Sequence, residues 1–158
     1  MKAANLKELK NELTHVSHEE LLKLCLHLAK FKKENKELLT YLLLESENEE
    51  GYIATVKEEV DVLFEAMNTH SYFYMKKTIR KILRTIKTNI RYSKKKSTDI
   101  ELVLYFCEKL KAVRPSIEYN VVLKNMFTRE LHAVEKKIKF VHEDLQFEYF
   151  QELEKLRL

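Results

Sequence analysis

The sequence contains one glycine, Gly51, and one proline, Pro115, in 158 residues. A sheet protein needs turn residues every few positions, so this scarcity excludes sandwiches, barrels and other hairpin-rich folds. It also excludes a glycine-rich phosphate loop, and with it nucleotide binding of the Walker or Rossmann kind, where the backbone must approach the phosphates closely. There are two cysteines, Cys25 and Cys107, with no CxxC spacing between them. They read as buried, reduced thiols of a cytosolic protein, not as a disulfide framework. Long apolar runs are missing as well. Stretches such as Leu42–Leu44 fall far short of the roughly 20 residues that a membrane helix needs. The start, "MKAANLKELKNEL", is charged and amphipathic and has no apolar signal-peptide core. Together these features predict a cytoplasmic chain with no membrane span.

The most informative absence is local. Residues 66–98 hold ten Lys or Arg and no Asp or Glu, a net charge of +10. Residues 1–65 sum to −5 and residues 99–158 to −1, so a mildly basic total of +4 conceals one intensely basic segment.

What is present favours helices. Hydrophobic residues make up 45% and charged residues 34%, enough for a core and a solvated exterior. Leu, Lys and Glu, all good helix formers, are abundant. The expectation is an all-α protein of seven to eight helices in one bundle or short superhelical array. It is read as a single domain over 1–158, with an N-terminal helical subregion at 1–46 and a main helical bundle at 53–158.

Leu6, Leu9 and Leu13 predict a first helix, and Ser17 with Glu20 stand in capping-box register before a second. A break is expected near Lys30 to Lys33. "ESENEEGY" reads as a loop around the only Gly, followed by a helix over 55–68. A basic helix then runs to about Tyr92. "SKKKSTD" reads as a loop in which Ser97, Thr98 or Asp99 caps the next helix. Pro115 ends that helix and suits the first turn of the following one. Leu123, Phe127, Leu131, Val134, Ile138, Val141 and Leu145 then step by four and three, with "VHED" as a candidate break before the last helix.

"NLKELKNELTHVSHEELLKLCLHLAKFKKENKELL" resembles the start of a family of small uncharacterised all-helical bacterial proteins, and "STDIELVLYFCEKL" is similar to a later helix of that family. The resemblance implies a fold and carries no activity. The same start, a helix, a Ser-Glu cap and a Leu-rich helix, resembles the SAP-type nucleic-acid module in that pattern alone. "THVSHEE" lacks the Gly that such modules usually carry between their helices.

The candidate site is the stretch "MKKTIRKILRTIKTNIRYSKKK", residues 75–96. At helical spacing Met75, Ile79, Ile82, Leu83, Ile86 and Ile90 fall on one stripe. Lys76, Lys77, Arg80, Lys81, Arg84, Lys87 and Arg91 fall on the opposite side, and Lys94, Lys95 and Lys96 continue the run. So many like charges on a few turns repel, each close pair by a few tenths of a kcal/mol. They therefore call for a negative partner. Phosphates would answer, with Tyr72, Phe73, Tyr74 and Tyr92 nearby to stack on bases. An acidic protein surface would answer equally. So would the chain's own carboxylates at Glu45, Glu47, Glu49, Glu50, Glu58, Glu59, Asp61 and Glu65.

Other chemistry is thinner. Glu12, His15 and His18 place three ligating side chains close in sequence, but the second Glu-x-x-His motif of a di-iron bundle is absent. "HEELL" and "HEDLQ" lack the second His of a zinc protease. No catalytic, metal-binding or cofactor residue is assigned. The first expectation is a non-catalytic protein that works through protein contacts or homo-oligomerisation. The second is nucleic-acid binding by the basic helix, and a metal-dependent enzyme is a distant third.

Overall fold

The computed structural model describes residues 1–157. Among them the chain forms eight α-helices and no strand: α1 (Leu6–Thr14), α2 (His18–Phe31), α3 (Lys33–Thr40), α4 (Glu49–Glu65), α5 (Tyr72–Ser93), α6 (Lys96–Ala112), α7 (Val121–Ile138) and α8 (Glu143–Leu156). A π-helical turn at Tyr41–Glu45 precedes α4, and a short 3-10 turn at Ile117–Tyr119 precedes α7. None of these helices is long and apolar enough to cross a membrane. The chain divides into two compact units, Met1–Leu44 and Glu45–Leu158.

In the first unit, capping sets the helix starts. The Asn5 side chain accepts from the backbone of Lys7 and Glu8, while the Glu8 carboxylate accepts from the Asn5 N–H. Ser17 and Glu20 form the expected capping box at the head of α2. Each such cap satisfies helix N–H groups that would otherwise lack partners and stabilises by about 1 kcal/mol. The chain turns at Lys32, whose backbone is extended, within the expected break, and α3 folds back on α2. Packing here is thin: of residues 1–44 only Tyr41 is buried.

The second unit holds the core. Its centre is α6, where Ile100, Leu102, Val103, Leu104, Phe106, Cys107 and Leu110 are all buried. These residues spread over a wide arc of the helix, with Glu101, Glu108 and Lys109 on the remaining side, so the arc needs cover from several neighbours. α4, α5, α7 and α8 each pack against it. Phe106 meets Phe64 of α4 with ring centroids 6.1 Å apart. All six residues of the apolar stripe on α5, from Met75 to Ile90, are buried as expected.

The connections differ from expectation in three places. α4 begins at Glu49, so Gly51 lies in its first turn and not in a loop. Asn48 caps that turn by accepting the Gly51 N–H at 3.0 Å, and a Cβ on Gly51 would strike the Asn48 side chain. Gly51 therefore serves the close approach of a cap. Between α5 and α6 the predicted loop shrinks to Lys94 and Lys95. Lys94 turns the chain in a left-handed conformation (φ 59°), so Ser97, Thr98 and Asp99 fall in the first turn of α6 and none is its cap. Pro115 sits in the bend after α6, joined to Arg114 by a cis peptide bond, and Asn120 caps α7 instead. The break expected at "VHED" is present: α7 and its stepped stripe end at Ile138, and Leu145 belongs to α8 and is partly exposed.

Candidate functional site

The amphipathicity of α5 fixes what faces outward. With its stripe locked against the core, Lys77, Arg80, Lys81, Arg84 and Arg91 are exposed, and Lys76 and Lys87 are half-buried at the edges of the face. Lys94, Lys95 and Lys96 are exposed at the corner into α6. All ten predicted cations thus lie along one helix and its turn.

Their counter-charges are few and sit at one end. Lys87 Nζ lies 2.9 Å from Glu130 Oε2 of α7, and Lys95 Nζ lies 3.0 Å from Glu49 Oε2 of α4. Glu49 also accepts from the hydroxyls of Ser93 and Thr98, which ties the α5–α6 corner to the head of α4. Arg91 donates to Thr88 Oγ1 at 3.3 Å, and Lys96 Nζ rests 4.8 Å from the Phe140 ring centroid. Lys76, Lys77, Arg80, Lys81 and Arg84 form no ion pair or side-chain hydrogen bond among the described residues.

Most of the acidic residues expected to neutralise this helix are engaged elsewhere or face solvent. Asp61 takes Lys109 at 2.8 Å and the Tyr105 hydroxyl at 2.6 Å, both on α6. Glu58, Glu59 and Glu65 are exposed. α4 turns its paired carboxylates toward α6, and among the eight named carboxylates only Glu49 makes an ion pair with the basic segment.

The geometry adds to the positive face two residues from α7 that sequence reasoning did not select. An open groove of about 570 Å³ is lined by Arg80, Arg84 and Lys87 on the α5 side and by Asn125, Met126 and Arg129 on the α7 side. A neighbouring depression carries the face on past Arg129 to Lys136. Along α5 itself, Phe73, Lys76, Lys77, Arg80, Lys81 and Arg84 line a shallow hollow of about 800 Å³.

Glu130 organises the groove. It is buried, yet accepts Lys87 from α5 and Arg129 beside it, at 2.9 and 3.0 Å. Burial alone would raise its carboxyl, but the hydrogen bond and charge of Lys87, then those of Arg129, hold it below the ordinary value. One carboxylate thus steers two cations into place and cancels one of them. A sequence signal existed for it: Glu130 stands seven after Leu123, three after Phe127 and four before Val134, on the apolar stripe itself.

The four flanking aromatics divide. Phe73 is 70% exposed beside Lys76 and Lys77, and it meets Tyr74 edge-on at 5.4 Å. Tyr92 is buried and cannot stack on a ligand, and the Tyr72 hydroxyl is committed to the Ser116 carbonyl at 2.7 Å.

Burial, reinforced by the charge of Glu130, pushes the Cys107 thiol up to about 12, so it stays protonated at neutral pH. His15 uses Nδ1 to cap the end of α1 against the Asn11 carbonyl at 2.8 Å. Among the described residues no three His, Cys, Asp or Glu gather in a way that could hold a metal ion.

No protein-family model, curated protein or solved structure matches the chain. The functional reading therefore rests on the chemistry of its own surfaces.

Proposed function

We propose that this protein works by surface contact, binding the phosphate backbone of nucleic acid along α5. The observation that carries this reading is the cluster of five cations, Lys76, Lys77, Arg80, Lys81 and Arg84, that face solvent or its edge without a carboxylate partner among the described residues. A face kept only for solubility would intersperse acidic residues, as the other helices of the chain do. The nine residues from Lys76 to Arg84 rise about 12 Å along the helix, a span of roughly three to four phosphates of one strand. Arg129 and Lys136 offer a second row, and Phe73 an exposed ring on which a base can stack. The contacts are to backbone and ring faces, so the binding is sequence-tolerant.

Fluorescence anisotropy with a labelled duplex and a labelled single strand tests the reading. At low salt the expected dissociation constant is of order 10⁻⁶ to 10⁻⁴ M. A variant with all five cations changed to Gln should lose the binding while keeping its helical circular dichroism. Binding that survives those five substitutions would overturn the reading. So would a clear preference for an acidic polypeptide over nucleic acid at equal ionic strength.

A further inference from the structure

α2 presents a second surface that the fold leaves unexplained. Its polar residues Glu19, Lys23, His27 and Lys30 fall on one narrow stripe, and the rest of the circumference from Leu21 to Phe31 is apolar. α3 covers part of it, half-burying Leu21 and Ala29. Leu22 remains 53% exposed, Leu28 58% and Phe31 72%, and Leu24 and Leu26 are exposed as well. A unit of 44 residues with one buried side chain lacks the core that holds so small a fold together, and oligomerisation is one common way to supply it.

We propose that the occupant of this surface is the α2 of a second copy of the chain, packed antiparallel about a twofold axis. Charge complementarity selects that partner. α2 carries Glu19 at its head, where it also holds Lys23 of its own helix at 2.6 Å, and Lys30 at its tail, so antiparallel copies set acid against base, whereas parallel copies would set like against like. The register follows from the helix midpoint, which falls between Leu24 and Cys25. A twofold axis there pairs Glu19 of one copy with Lys30 of the other. It also places the two Cys25 residues across the axis near one another. Contrary to the expectation of a buried thiol, Cys25 is exposed in the single chain, near the middle of the apolar arc.

Sedimentation velocity on the full chain is the first test. Each chain weighs 19.0 kDa, and a species of twice that mass is expected. A monomer at about 50 μM overturns the proposal. Leu22→Lys with Leu26→Lys should give a monomer of unchanged helix content; a dimer that persists overturns it. The register is tested separately. Glu19→Lys and Lys30→Glu should each weaken the dimer about tenfold, since each removes two symmetric pairs, and the double variant should recover to within about threefold. Additive loss without recovery contradicts the antiparallel pairing. Finally, a short bis-maleimide should join two chains through Cys25, because each maleimide adds one thiolate across its double bond. The buried Cys107 should stay silent in the same reaction. A Cys25→Ser variant that still forms the covalent dimer, or a wild-type dimer that does not, overturns the arrangement.

Discussion

α6 and α2 are the same kind of helix in opposite surroundings. Both are apolar over a wide arc, so both call for cover on several sides. α6 receives it from four helices of its own unit, and its apolar side chains from Ile100 to Leu110 are buried. Within its own unit α2 is packed by α3, and none of its residues is buried. Patterning states how much of a helix must be covered; it does not state which chain provides the cover. α5 shows a third arrangement, since its apolar stripe is fully buried and the demand for a partner moves to its charged face.

Truncation separates the two apolar helices most sharply. Phe106→Ala in α6 should cost about 3–5 kcal/mol in denaturant unfolding of the second unit, because a large ring leaves a cavity among four helices. A loss below about 1 kcal/mol would mean that α6 is not the centre of the core. The ion-pair hub comes next in size. Glu130→Gln should cost about 1–3 kcal/mol, since it removes the charge that two cations share at a buried position. The same carboxylate sets a pH dependence. Its folded-state value lies below its unfolded one, so its contribution is complete at neutral pH and is lost as pH falls through and below about 4.5. The Gln variant should show a shallower acid decline over that window, and an identical decline would place the titrating group elsewhere. Smallest is Leu22→Ala in α2, which should change the unfolding of the second unit by less than about 0.5 kcal/mol. A core-sized effect there would mean that α2 is buried within a single chain.

Much of the architecture was legible in the sequence because it depends on spacing. The buried stripe of α5 follows from six residues at helical intervals, and the head of α2 from Ser17 and Glu20 three apart. The boundary errors came from short-range geometry that composition does not encode. Gly51 suggested a loop but instead makes room for the Asn48 cap, and a left-handed Lys94 closed a connection that looked seven residues long. Most of the site was equally visible, since ten of its twelve cations share one segment. The other two were not. Arg129 and Lys136 come from a helix whose local charge is mixed, and only the α5–α7 packing brings them to the same groove. Sequence distance also misled on neutralisation, because α4 is rich in carboxylates but commits its paired ones to α6 and the α5–α6 corner.

The salt dependence of nucleic-acid binding tests the central claim most directly. Observed affinity for a duplex should fall with a log–log slope of about −4 to −6, matching five to seven phosphate contacts. Arg80→Gln with Arg84→Gln should flatten that slope by about two and weaken binding evenly across sequences. An unchanged slope in the double variant would contradict the assignment of the contact to α5.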